Sequence, residues 1–154
     1  MTLQVIGIGS HAGDDQIGWL VVRRLQQRHP DIPCIQCDSP MALLGHLPLD
    51  GPLLVVDGVR SDRPEGTLHY LRWPMDPCPP GWGQPFSSHG LGLGDALALA
   101  DRLGLLPSPT LLWGIEIGQS APEEPVSPPV LAAVDQLTLA FDRLLAADHA
   151  PEPG

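Results

Sequence analysis

The stretch Leu3-Gln4-Val5-Ile6-Gly7-Ile8-Gly9, followed closely by Gly13-Asp14-Asp15-Gln16-Ile17-Gly18, decides the fold. Its first part is short, apolar and β-branched and ends in glycines, which predicts a buried strand. Its continuation places Ile17, Leu20, Val21 and Leu25 on one helical face, which predicts an amphipathic helix. The rest of the chain keeps up this alternation. Ile32 to Cys37 reads as a second strand and Met41 to Leu47 as a brief helix. Leu53-Leu54-Val55-Val56 reads as a third strand, apolar throughout and therefore buried on both faces. After the turn Asp62-Arg63-Pro64-Glu65-Gly66, the segment Gly66 to Arg72 is a fourth strand. Leu93, Ala96, Leu97, Ala100 and Leu103 follow helical spacing, with Gly104 placed to cap the end. Thr110 to Ile115 is a fifth strand. A last helix opens at Ser127 as cap, with proline in its first turn and the stripe Val130, Ala133, Val134, Leu137, Phe141, Leu144 and Leu145. Strands alternating with helices imply an α/β fold, a mostly parallel sheet covered on both faces. In such sheets the functional crevice lies beyond the carboxyl ends of the strands, so chemistry is sought there.

Composition narrows the function classes. A chain of 154 residues is one domain's worth; the expected domain is 1–147, with 148–154 a frayed tail around Pro151-Glu152-Pro153. Eight Lys plus Arg stand against eighteen Asp plus Glu, a formal charge of −10. That balance argues against nucleic acid, whose phosphates reward the opposite sign, and suits docking on a less acidic protein. Three cysteines, an odd number, do not make a full disulfide framework. No apolar run reaches the length of a membrane span. Met1-Thr2-Leu3-Gln4 has no basic region before the strand, so no signal peptide is expected, and a reducing cytoplasm is the simplest setting. The prolines cluster at Arg72–Pro85, Ala121–Pro129 and the tail, which read as loops or ends.

Several residues have the chemistry and the position to form a site. Asp57 follows Leu-Leu-Val-Val, at the crevice edge, where it either meets a ligand or satisfies loop N–H groups. Asp14 and Asp15 open the first helix. Aspartate is a preferred N-cap, but two acids exceed what one cap requires, which leaves one for a metal or a cation. His89, in Phe86-Ser87-Ser88-His89-Gly90, precedes a helix that Ser87 or Ser88 is placed to cap, and small neighbours leave it room to face the crevice. Two carboxylates and an imidazole on loops at one sheet edge are a mixed O/N set of the sort that binds a divalent transition metal. Other readings are weaker. Gly7-Ile8-Gly9 with Ala12 imitates a dinucleotide fingerprint, but Asp14 and Asp15 sit where pyrophosphate would rest. Cys34-Ile35-Gln36-Cys37 has metal or redox spacing on a strand, without a second pair, and reads as structural. There is no Gly-x-Ser-x-Gly elbow and no His-Glu-x-x-His.

In order along the chain, Gly7-Ile8-Gly9-Ser10 with Gly13-Asp14-Asp15-Gln16-Ile17-Gly18, Val56-Asp57-Gly58-Val59 with Pro64-Glu65-Gly66-Thr67-Leu68, Ser87-Ser88-His89-Gly90-Leu91, Gly114-Ile115-Glu116 and Val126-Ser127-Pro128 resemble the motifs of the hydrogenase maturation endopeptidases, from about Leu3 to Leu145. The resemblance implies a three-layer α/β/α sandwich around a twisted five-stranded sheet. It implies an aspartic-type endopeptidase that cuts near the C-terminus of the large-subunit precursor of a nickel–iron hydrogenase after nickel insertion. The family's metal-binding acids and histidine fall on Asp15, Asp57 and His89. The nickel is then supplied by the substrate, and no organic cofactor is implied.

The sequence departs from the family pattern in three places. The loop between Gly9 and Gly13 is one residue short, Ser10-His11 replaces Asn and an apolar residue, and Asp38-Ser39-Pro40-Met41-Ala42 replaces a glycine-richer stretch. His11 is thereby a further metal candidate, with a solvent-exposed loop histidine as the plainer reading. Two rival functions keep the same residues: a non-catalytic, metal-sensing binder of the large subunit, and a small hydrolase with its own zinc.

Overall fold

The computed structural model describes residues 3–10, 13–47, 49–74, 92–118 and 125–148. Strand β1 (Gln4–Ile8) leads through a 3-10 turn at Gly13–Gln16 into α1 (Ile17–Arg28). Then come β2 (Cys34–Cys37), a second 3-10 helix at Met41–His46, β3 (Leu53–Val59) and β4 (Leu68–Arg72). Helix α2 (Leu93–Arg102), β5 (Thr110–Glu116) and α3 (Pro128–Asp148) complete the set. The five strands form one sheet in the order β2-β1-β3-β5-β4. Four are parallel, and β4 is antiparallel to β5 at one edge. The predicted α/β sandwich and mostly parallel five-stranded sheet are therefore correct.

Two apolar layers explain why these elements pack as they do. On one face α1 and α3 cover the sheet through Val21, Val22, Leu25, Val130, Val134, Leu137 and Phe141, against Val5, Leu54, Val56 and Ile115. On the other face α2 and the Met41–His46 turn bring Leu93, Leu97 and Leu43 against Ile6, Ile8, Leu53, Val55, Val59 and Leu112. Residues of β1, β3 and β5 thus alternate between the two layers while nearly all remain buried, as expected of strands covered on both sides. Gly7 and Gly18 set how closely α1 lies on β1. A Cβ at Gly7 would meet the Gly18 carbonyl oxygen at 2.2 Å, and one at Gly18 would meet the Ile8 carbonyl oxygen at 2.0 Å. Any side chain at either position forces the helix off the strand.

Most boundaries lie near those expected. The third strand is longer, running on to Val59 rather than stopping at Val56. Backbone pairing of Asp57, Gly58 and Val59 with Gly114, Ile115 and Glu116 holds it, so Asp57 is inside a strand and not in the loop after it. The second strand is shorter, starting at Cys34. Gly104 ends α2 as anticipated: its N–H donates to Asp101 O (3.0 Å) and the Leu105 N–H to Ala100 O (2.9 Å), the double bond of a Schellman cap. At the other end of α2 the N-cap is Gly92, whose N–H donates to Asp95 Oδ2 at 3.3 Å. Ser87 and Ser88, the expected caps, lie outside the described residues. Helix α3 runs to Asp148, one residue past the expected domain end, and the tail lies outside the described residues. Among the described residues no helix is long and apolar enough to cross a membrane.

Cys34 and Cys37 are both free and divided between layers: Cys37 is buried in the α2-side layer, whereas Cys34 packs against the α1/α3 layer. Burial raises the Cys34 thiol to about 11, and burial with the neighbouring Asp38 charge raises Cys37. Both are thus thiols at neutral pH, poor nucleophiles and poor metal ligands. Peptide mapping after brief alkylation at pH 8 should find both unmodified in native protein and labelled in urea; fast labelling of either in the native state would contradict this assignment.

Candidate active site

The sheet order fixes where a crevice can open. From β1 the chain steps outward to β2, then returns to the other side of β1 to lay down β3. The carboxyl ends of β1 and β3 therefore flank the topological switch point, where connections diverge and leave a gap. Asp15 lies in the turn after β1, and Asp57 lies near the end of β3.

The adjacent acids of the first turn have separate tasks. Asp14 is fully buried. Its Oδ1 accepts the Ser127 N–H at 2.7 Å, and its Oδ2 accepts the Gly118 N–H at 2.9 Å and the Ser127 hydroxyl at 3.1 Å. It joins the turn after β1 to the chain leaving β5 and to the start of α3. The expectation that an aspartate caps α1 is not met, because the 3-10 turn moves the helix start to Ile17. Gln16 occupies the cap position without a side-chain hydrogen bond. Asp15 is partly buried, and among the described residues its carboxylate accepts no hydrogen bond. Its carbonyl oxygen accepts the Ser10 N–H at 3.0 Å, folding the turn back over Gly9, where a Cβ would meet that same oxygen at 2.7 Å. A side chain at Gly9 would therefore displace Asp15.

Asp57 is partly buried, and its Oδ1 accepts the Gly58 N–H at 2.8 Å. Burial pushes its pKa well above the ordinary 3.8; the Asp15 charge pushes it further in the same direction, and the Gly58 N–H only partly opposes them. The two carboxylates are thus close enough to repel. Among the described residues, no ion pair involves either. His89 and His11 lie outside the described residues, and among those described no three metal-ligating side chains converge.

A second polar group on the same face carries no signal in sequence spacing. Val55, Val59, Leu71 and Leu112 pack in the α2-side layer, so strand alternation puts Asp57, His69 and Glu116 on that side as well. Asp57 and His69 are both register partners of Gly114, one from each side, which aligns the three in a row across β3, β5 and β4. Glu116, only 2% exposed, accepts the Ser61 N–H (2.7 Å) and hydroxyl (2.5 Å) and lies 3.1 Å from His69 Nε2.

At the opposite pole, a cleft of about 410 Å³ lies where α1 and α3 end, lined by Arg28, His29, Asp31 and Leu145. Its Arg28 and His29 are both held by Asp142. It sits at the amino ends of the strands, away from the switch point.

The same architecture occurs in solved structures. The hydrogenase maturating endopeptidase HybD from E. coli is 27% identical, with a TM-score of 0.79 over 97% of this chain and 94% of that one. An endopeptidase from Escherichia coli is 26% identical, with a TM-score of 0.82 over 97% and 95%. Over nearly its whole length the chain is similar in fold and sequence to solved hydrogenase maturation endopeptidases. A nickel–iron hydrogenase maturation protease, HycI from Thermococcus kodakarensis, shares the fold at 24% identity and a TM-score of 0.71, over 94% and 92% of the two chains. No protein-family model and no curated relative matches. This likeness to solved endopeptidases supports a peptidase.

Two stability measurements follow. Asp14→Ala strands three buried donors and should cost about 3 kcal/mol in urea melts, with Asp14→Asn intermediate because one acceptor oxygen remains. Asp57→Asn should have the opposite sign. A carboxyl whose folded pKa lies above its unfolded value makes the native state bind the extra proton, so the wild type loses stability as pH rises from about 3.8 through the raised value. The amide keeps the Gly58 contact and removes the charge. Asp57→Asn should therefore melt higher than wild type at pH 7, with the gap closing toward pH 4; an equal or lower melt at pH 7 would contradict the assigned strain.

Proposed function

We propose that this peptidase removes the C-terminal extension from the large-subunit precursor of a nickel–iron hydrogenase after nickel insertion, and that Asp15, Asp57 and His89 read the nickel. The observation that carries this reading is the carboxylate pair at the switch point. One member is desolvated, the other repels it, and no ion pair relieves either among the described residues. Such a pair is destabilising alone and becomes favourable when a divalent cation arrives between its members. A site that needs a cation and is built to receive one from outside is suited to test whether a precursor has been loaded.

In this reading the nickel is part of the substrate. Bound by the trio, it orients the scissile peptide, and it can polarise the carbonyl or lower the pKa of a water. Either carboxylate is then placed to serve as general base, an aspartic-type chemistry. The acidic surface, with its charge of −10, suits a protein partner and not a nucleic acid. The cytoplasm, where thiols such as Cys34 and Cys37 stay reduced, is the compartment proposed.

Purified protein should shorten nickel-loaded precursor in a gel assay and leave nickel-free precursor intact. Asp15→Asn, Asp57→Asn and His89→Ala should each remain folded and lose processing by at least about 100-fold. Replacing Cys34 and Cys37 together by alanine should leave it unchanged. Binding of loaded precursor without shortening would favour a metal-sensing binder, and a stoichiometric resident zinc would favour a self-sufficient hydrolase. A fully active Asp15→Asn would remove that residue from the site.

A further inference from the structure

A buried carboxylate is expensive unless it is paired or well hydrogen-bonded, so the place where one is kept asks for a reason. Glu116 ends β5 at the functional edge of the sheet, two register pairs beyond the row that holds Asp57. Its carboxylate draws the Ser61 N–H, the Ser61 hydroxyl and His69 Nε2 onto two oxygens. Its backbone holds the same segment from the other side. The Glu116 N–H donates to Thr67 O at 2.8 Å, and the Gly66 N–H donates to Glu116 O at 2.9 Å. The side chain of Glu65 lies against Gly118, so close that a Cβ there would fall 1.8 Å from Oε1. One residue therefore fixes both ends of the 61–67 connection, which begins four residues after Asp57 and forms a rim beside it. It also holds His69, the residue that faces Asp57 across Gly114.

The carboxylate accepts from all of them at once. A glutamine has one acceptor oxygen and an NH₂ that donates, so with its oxygen on the Ser61 N–H it keeps the cluster only by turning the Ser61 hydroxyl and His69 Nε2 from donors into acceptors, which reorients both. Fixing a rim firmly matters for a peptidase because the reacting peptide must sit within a few tenths of an ångström of its attacking water, and a displacement of about 1 Å costs on the order of 100-fold in rate.

We propose that Glu116 is a positioning residue for cleavage: acting through Ser61 and His69, it fixes the rim beside Asp57 so that the scissile peptide lies over Gly114 in one register. This rests on the processing function proposed above. Gly114 supplies the floor, and Asp57 and His69 stand on either side of it. Glu116 touches no reacting atom.

The test is single-turnover cleavage of nickel-loaded precursor by the full chain, with precursor affinity and melting measured in parallel. Glu116→Gln should fold and bind precursor within about twofold of wild type, yet cleave about 10- to 100-fold more slowly. Ser61→Ala, a milder change, should show the same split to a smaller degree, and Ser61→Thr should restore most of the rate by returning the hydroxyl. Wild-type cleavage by Glu116→Gln would overturn the proposal, as would a cleavage loss that merely follows lost folding or lost affinity. Should Glu116→Gln not fold, Ser61→Ala decides alone: a normal rate overturns the proposal, and a slowed rate with normal binding supports it. Asp57→Asn distinguishes the underlying reading. If it cleaves normally, the proposed site is wrong whatever Glu116 does.

Discussion

The fold's functional end hangs on the buried carboxylate of Asp14. Three donors from two distant parts of the chain, Gly118 after β5 and Ser127 before α3, converge on it. Gly66 presses against the Pro129 carbonyl oxygen, where a Cβ would sit at 2.6 Å. The turn after β1, the 61–67 rim, the end of β5 and the start of α3 are therefore one connected hub. With Asp14 committed inward, Asp15 is the acid of the 3-10 turn whose carboxylate accepts no hydrogen bond among the described residues.

The acids at this edge are treated in two ways. Asp14 and Glu116 are buried and saturated with donors, so their charges do structural work. Asp57 receives one backbone N–H and faces the Asp15 charge. Only this last arrangement leaves an unmet electrostatic demand. Saturated acids resist a ligand, because binding must first displace good hydrogen bonds, whereas an unsaturated repelling pair gains from one. The contrast sets Asp15 and Asp57 apart electrostatically from Asp14 and Glu116 at the same edge.

Much of this was legible in the sequence, for physical reasons that also explain what was not. Periodicity located all five strands and the helices, because burial on both faces gives apolar runs and helix spacing gives stripes. The Asp14-Asp15 pair exceeds what one helix cap requires, but the sequence does not tell which acid is buried: that depends on Gly118 and Ser127, more than a hundred residues away. The cap assignment failed because a 3-10 turn intervenes, and local preference cannot see a turn that a distant partner imposes. Asp57 was read as following a strand, since a carboxylate breaks an apolar run, whereas β5 pairs past it to Val59. Ser61, His69 and Glu116 belong to motifs of no common spacing. Only the register through Gly114, with β4 reversed against β5, brings them together.

The two poles of the molecule divide stability from strain. At the amino pole Arg24 pairs with Asp135, and Arg28 and His29 share Asp142, fastening α1 to α3. These are largely exposed pairs, each worth about 0–1 kcal/mol, so they add register more than energy. The main stabilisation lies beneath them, where Val21, Val22 and Leu25 meet Val134, Leu137 and Phe141 with no solvent exposure. That layer is continuous with the sheet, and neither Asp15 nor Asp57 is part of it. The edge can therefore hold a repelling carboxylate pair that would be an error in the core. Because the cost of the pair falls on elements already anchored by α1 and α3, it acts locally, without loosening the sheet that holds Asp57.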